Sequence, residues 1–238
     1  NEQDAQWTIP FTELFAYMNE EMVPETEKDN FVQYRAAVKE KLGKKRVALS
    51  FDDGPSPELT PKVLDLLKQY NAHATFYIVG SHVEGNEAII RRIVDEGHEL
   101  GNHSYSHPLL PKKSADEVYK QVHDTSDLIA KATGGLRPMS LRPPYGGYNK
   151  MVADQAGIAI VNWSIDSLDW QYRDAAKTIA HIKENTHNGG ILLMHDIHAE
   201  SVEALPSVLK YLTSEGYELV SVEELMAGQP LQPNYAYF

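Results

Sequence analysis

Residues 46–79 read RVALSFDDGPSPELTPKVLDLLKQYNAHATFYIV, a complete strand, helix and second strand in one stretch. Segments 47–51 and 74–79 are short apolar runs rich in aromatic and aliphatic residues, the pattern of strands buried on both faces. Between them, 61–70 carries Val63, Leu64, Leu66 and Leu67 as an inward helical stripe. Pro61 suits the first helical position and Thr60 the cap. Two strands joined through a helix pair in parallel, because a crossover of this length returns the chain in the same direction.

The same texture continues outward from this unit. Further strands are expected at 99–103, 140–142, 158–163, 190–194 and 217–221, with helices at 88–96, 115–132, 174–185 and 202–215. This alternation predicts an α/β fold, a distorted (β/α) barrel of about seven strands, with an open doubly wound sheet as the competing arrangement. Residues 46–228 show no repeat or Pro/Gly linker and are read as one domain. Residues 1–45 are charged and weakly periodic, with Leu14, Phe15, Tyr17 and Met18 and a second helical stretch at 30–42. They are expected to form a short helical N-terminal extension, and 229–238 a C-terminal tail.

Composition narrows the function. A chain of 238 residues with 42% hydrophobic content is long enough for one substantial core. Its net charge of -12 argues against a nucleic-acid partner, since phosphate binding is driven by Lys and Arg. The absence of cysteine excludes disulfides, thiolate metal sites and a Cys nucleophile. No run approaches the roughly 18 apolar residues of a membrane span, and the start of the chain lacks the basic-then-apolar order of a signal peptide.

Unusual polar residues fall at the predicted strand ends, where barrels of this kind place their reactive groups. After the first strand come Asp52 and Asp53, adjacent carboxylates whose repulsion a cation or proton would relieve; Asp-Gly-Pro is also ordinary turn material. After the third, His103-Ser-Tyr-Ser-His107 spaces two imidazoles four residues apart. On one face of a helical turn they can bind one metal ion, and Asp53 would complete a His, His, Asp set with an open position. Next, Arg142-Pro-Pro-Tyr145-Gly-Gly fixes an irregular backbone that can aim the Tyr145 N–H at a developing oxyanion. Asp166-Ser-Leu-Asp169-Trp170 offers a carboxylate able to orient an imidazole and raise its pKa. Last, the apolar run 191–194 ends in His195. The other seven histidines, His82 among them, have no partner pattern and are assigned no role.

In this fixed order the five segments resemble the carbohydrate esterase family 4 polysaccharide deacetylases, the NodB homology domain, over residues 46 to about 226. The only departure is Ser50, where the family often has Thr. The resemblance implies a metal-dependent hydrolase that removes N-acetyl groups from a polysaccharide. Asp52 would be the general base, Asp53, His103 and His107 the metal ligands, and His195 the general acid. Arg142 would tether Asp52, Asp169 would tune His195, Tyr145 would supply an oxyanion N–H, and Trp170 and Leu193 would line the acetyl pocket. A divalent ion is implied, zinc first and cobalt second.

The Asp-Asp-Gly-Pro form and the segment 102–110 look closest to bacterial peptidoglycan N-acetylglucosamine deacetylases, which implies a polysaccharide partner such as peptidoglycan. Chitin deacetylation, acetylxylan esterase activity and an inactive carbohydrate-binding barrel with Trp163, Trp170 and Tyr145 as sugar platforms stand as alternatives. The family habit implies a monomeric, extracellular enzyme facing a bacterial cell wall, with any membrane anchor in a segment absent from this chain.

Overall fold

The computed structural model describes residues 44–226, 231–233 and 236–237. The expected helical extension over 1–45 lies outside these apart from Lys44 and Lys45. Everything below, save those two residues, belongs to the unit Arg46–Phe238.

The sheet grows from β1 (Lys45–Asp52), which pairs in parallel with β2 (Ala74–Ile78) on one side and β7 (Gly190–His195) on the other. Beyond β2 follow β3 (Glu99–Asn102), β4 (Ser140–Leu141), β5 (Ala159–Val161) and β9 (Ala236–Tyr237); beyond β7 lies β6 (Ile165–Asp166). The remaining strand, β8 (Tyr217–Val220), pairs with β1 off this path. Around the sheet are α1 (Thr60–Gln69), α2 (Glu87–Asp95), α3 (Ala115–Thr133), α4 (Lys150–Ala156), α5 (Asp169–Tyr172), α6 (Ala175–Asn185), α7 (Ala199–Ser214) and α8 (Val222–Leu225).

Connectivity alone requires this sheet to curl. β5 and β6 stand six strand spacings apart along the hydrogen-bonded path, about 29 Å if the sheet were flat. Yet only Asn162, Trp163 and Ser164 join them, a link that spans at most about 14 Å. The ends of the path are therefore drawn together, giving a distorted barrel rather than the open doubly wound sheet.

Curling sorts side chains by the two-residue period. Val47, Leu49 and Phe51 of β1 face outward and pack with Phe76, Ile78 and the α1 residues Val63, Leu64 and Leu67. Ala48 faces inward with Tyr77, Val161 and Ile191. The next inward residues of β1 are Ser50 and Asp52, so the same period that builds the core delivers a carboxylate to the C-terminal mouth.

The structure holds nine strands among the described residues rather than about seven. β6 and β9, of two residues each, fall outside the expected strands; β9 draws part of the expected tail into the sheet, beside β5. Thr60 is not a cap. Leu59 occupies that position, and the Thr60 hydroxyl instead accepts from the Ser56 N–H at 2.7 Å and donates to Asp196 at 2.5 Å.

Tyr77 lies opposite Gly101 in the β2–β3 register, and its ring covers the space a Cβ at Gly101 would need. Gly101→Ala is expected to destabilise the domain by about 1–3 kcal/mol through overpacking. That would lower the thermal midpoint by several degrees at roughly 2–4 °C per kcal/mol. A midpoint equal to wild type would show that the ring is not locked there.

Candidate active site

Parallel register brings the first elements of the site side by side: Asp52 is paired with Tyr77 on β2 and with His195 on β7. The chain then leaves β1 at Asp53, whose φ of 73° is left-handed. That turn separates the two adjacent carboxylates and gives each its own surroundings.

Asp52 is buried against Arg142, which has no solvent exposure. Arg142 Nη1 donates to Asp52 Oδ1 at 2.8 Å and to Ser50 Oγ at 2.8 Å. Its Nε reaches the Val161 carbonyl at 3.2 Å and Nη2 the Asn162 carbonyl at 2.9 Å, while the guanidinium carbon sits 4.1 Å from the centre of the Tyr77 ring. Such saturation is what allows a permanent charge to be buried. Ser50, in the place where Thr is frequent, keeps the needed hydroxyl and donates it to the Leu192 carbonyl at 2.7 Å.

Asp53 Oδ1 lies 3.4 Å from His103 Nε2 and 3.4 Å from His107 Nε2. Among the described residues these three form the group able to hold a metal ion, their ligand atoms within 4.8 Å of one another. Three observations fit a bound cation. Asp53 Oδ1 is buried without a hydrogen-bond partner. His103 Nδ1 lies 2.6 Å from the Arg142 carbonyl; as the donor there it leaves Nε2 with a free lone pair. Ligand atoms about 2.0–2.1 Å from a tetrahedral ion stand roughly 3.3 Å apart, close to the observed 3.4 Å.

Protonation is set accordingly. Burial would raise the Asp53 pKa, but the adjoining imidazoles, His103 first and then His107 and His195, outweigh it and hold the carboxylate ionised. Burial, reinforced by His103, lowers the His107 pKa against the pull of Asp53 and Asp52, which favours the neutral ring a metal needs.

His195 is treated in the opposite sense. Its Nδ1 lies 2.7 Å from Asp169 Oδ1, its backbone N–H donates to Asp169 Oδ2 at 2.8 Å, and Ser201 Oγ donates to the same oxygen at 2.6 Å. Burial pushes the His195 pKa down, but the Asp169 hydrogen bond and charge, then Asp52 and Asp53, carry it up to about 9. His195 Nε2 faces the cluster of Asp53, His103 and His107, 4.0 Å from Asp53 Oδ2.

The remaining residues expected at the site rim it. Tyr145 has a φ of 60°, is 70% exposed, and its ring lies 4.7 Å from that of His107. Trp170 is half exposed, whereas Leu193 shares the inner face of β7 with His195 and is almost fully covered. Trp163 is part-buried, 5.8 Å from Arg142, where it serves as packing.

One expectation fails locally: His103 and His107 do not share a helical turn. Ser104 and His107 are left-handed, with φ of 64° and 57°, and the segment is an irregular loop. Its Ser104 N–H is taken by Asn102 Oδ1 and its His107 N–H by Ser104 Oγ, side chains that replace helical carbonyls as acceptors. Sequence reading also passed over three contributors: His82, whose Nδ1 lies 2.9 Å from the Asp53 carbonyl, Ser201 and Tyr77. All reach the site from other elements, and nothing in their local sequence signals it.

Comparison with known proteins gives a consistent neighbourhood. Residues 39–161 match the family model described as polysaccharide deacetylase. The chain is 45% identical over 82% of its length to the peptidoglycan-N-acetylglucosamine deacetylase PgdA of Listeria monocytogenes, covering 41% of that protein. It is 42% identical over 76% of its length to the peptidoglycan-N-acetylmuramic acid deacetylase PdaC of Bacillus subtilis, covering 38% of it. The chain thus spans about two fifths of these curated relatives. Among solved structures, a family 4 acetyl xylan esterase from Clostridium thermocellum in complex with a cobalt ion superposes with a TM-score of 0.76 at 37% identity, over 81% of this chain and 98% of that one.

The His195–Asp169 coupling is directly measurable. With Asp169→Asn the carboxylate's pull on the imidazolium is lost. In the metal-free protein the His195 pKa is expected to fall from about 9 toward or below the ordinary value near 6.5, with Asp52 and Asp53 left to oppose burial. NMR titration of the ring reports it, and a ring that still titrated near 9 would refute the coupling.

Proposed function

This chain belongs to the polysaccharide deacetylase family, and on that premise we propose that it hydrolyses the N-acetyl group of N-acetylglucosamine residues in peptidoglycan, releasing acetate. The observation that carries the reading is the arrangement around Asp53: two imidazoles at 3.4 Å, an Arg-held carboxylate as its sequence neighbour, and a His195–Asp169 pair facing it. Support for the sugar comes from the likeness to the Listeria peptidoglycan-N-acetylglucosamine deacetylase and from the Asp-Asp-Gly-Pro form of the first motif.

Asp53, His103 and His107 would hold a divalent ion, zinc by the chemistry of a two-imidazole, one-carboxylate set. Such an ion supplies a more acidic water and polarises the amide carbonyl. Asp52 acts as base: Arg142 occupies Oδ1 and keeps it oriented, while Oδ2, 3.6 Å from His103 Nε2, faces the ligand cluster and takes the proton of the attacking water. The Tyr145 N–H, fixed by the left-handed turn, donates to the oxyanion as the carbonyl becomes tetrahedral. His195, protonated with the help of Asp169, then gives its Nε2 proton to the departing amine, which without it is a poor leaving group. Tyr145 and Trp170, both exposed at the rim, offer stacking faces to the sugar, and Leu193 contributes apolar surface to the acetyl site.

A peptidoglycan substrate places the working enzyme outside the cell membrane, acting as a monomer on the wall. Among the described residues no helix is long and apolar enough to cross a membrane. Acetylxylan is the second reading, favoured by the likeness to the acetyl xylan esterase.

Acetate release from peptidoglycan, N-acetylated chitin oligomers and acetylxylan decides among them. Peptidoglycan is expected to be turned over fastest, with the new free amines on glucosamine; free amines on muramic acid, or faster acetylxylan hydrolysis, would overturn the assignment. A chelator is expected to abolish turnover and added zinc to restore it. Asp52→Asn should lower kcat by about 10²–10⁴-fold while the protein still takes up zinc. Retention of near-wild-type kcat in that variant would remove Asp52 as the base.

A further inference from the structure

We infer that Gln121, on α3, is a positioning residue for the metal centre: its side-chain oxygen fixes the loop that presents His103 and His107 and so sets how tightly a divalent ion is held. This rests on the reading of Asp53, His103 and His107 as the metal ligands.

The argument begins with where the loop's backbone N–H groups go. Between the two imidazoles there is no helical or sheet ladder to take them. The His103 N–H goes to the Ile78 carbonyl, Ser104 to Asn102 Oδ1 and His107 to Ser104 Oγ. The two in the middle, Tyr105 and Ser106, both donate to Gln121 Oε1 at 2.9 Å. Gln121 Nε2 then donates to Ser106 Oγ at 3.0 Å. One side chain therefore makes three of the bonds that shape a five-residue segment, and it makes them at the segment's apex.

The loop needs such a clamp because its conformation is not self-supporting. Ser104 and His107 both sit in the left-handed region, where a β-carbon is unfavourable. The clamp itself is rigid. α3 begins with a capping box between Ser114 and Glu117, and its Val118, Val122, Thr125 and Ser126 are buried against the domain. Asn102, just before His103, is tied to the same helix through the Val122 carbonyl at 2.7 Å and Ser126 Oγ at 3.0 Å. The helix thus grips the ligand segment at its start and at its apex, while the Gly80 and Ser81 N–H groups hold the Ser104 and Tyr105 carbonyls at 2.9 Å from the end of β2. Partners that orient metal ligands govern affinity even though they never touch the ion.

Loss of the acceptor leaves two N–H groups at an exposed apex, where water can solvate them, so the domain folds while the imidazoles lose their fixed separation. The test is zinc affinity of the full chain, measured by competition with a chromophoric chelator. Gln121→Ala is expected to weaken zinc binding about 10–100-fold. Gln121→Glu, which keeps an acceptor oxygen in place, should stay within a few-fold of wild type. At saturating zinc the alanine variant should recover kcat and show an unchanged KM, because the reacting groups are untouched. Gln121→Met, of similar length but without the oxygen, provides a second variant should alanine impair folding, and is expected to behave as alanine does. Wild-type affinity in Gln121→Ala or Gln121→Met, or equal weakening in the glutamate variant, would overturn the inference. Failure of the wild-type chain to bind zinc would overturn the metal reading itself, a distinct result.

Discussion

A fully buried guanidinium organises this molecule. Arg142 sits inside the curled sheet with no solvent exposure, and an unpaired charge there would be prohibitively costly. It is satisfied only because four strands contribute at once: β1 through Ser50 and Asp52, β5 through the Val161 carbonyl with Asn162 just beyond, β2 through the face of Tyr77, and β4 by delivering Arg142 itself. Removing one partner from such a pair typically costs about 3–5 kcal/mol, because the other charge is left behind. The Arg142 carbonyl meanwhile fixes the His103 ring. One residue thus orients the proposed base with its side chain and a proposed metal ligand with its backbone.

Around that centre the fold pushes like residues apart in character. Asp52 and Asp53 are sequence neighbours, yet the left-handed turn at Asp53 gives one an arginine and the other a pair of imidazoles. Histidines diverge in the same way. Burial and His103 keep the His107 pKa low, whereas Asp169 carries that of His195 up to about 9. Groups of one type whose environments drive them in opposite directions are how a single site holds both a ligand and a proton donor.

Sequence reading recovered what is local and periodic. The longer strands announce themselves by apolar runs, and the five polar segments stand out because each lies at or just past the end of an expected strand. What it missed was short or distant. β6 and β9, of two residues each, fall outside the expected strands. Ser201, His82 and Gln121 act on Asp169, Asp53 and the His103–His107 loop, from sequence distances that only the fold closes. The four-residue spacing of His103 and His107 fits a helical turn and an irregular loop equally well. Only the acceptors supplied by Asn102, Ser104 and Gln121 decide for the loop.

The glycine of the first motif carries a similar lesson about space. Gly54 reads as turn chemistry, but its φ is not left-handed. A Cβ there would collide with the carboxyl of Asp196, the residue after His195. Asp196 is buried, its pKa raised to about 7 by burial against the opposing hydrogen bond from Thr60. The ends of β1 and β7 therefore each carry an adjacent pair: Asp52 with Asp53, and His195 with Asp196. The outer carboxyl of β7 packs directly on the backbone that follows the outer carboxylate of β1. Contact at Gly54, where nothing larger fits, packs the two strand ends against each other, and with them the cluster of Asp53, His103 and His107 against His195.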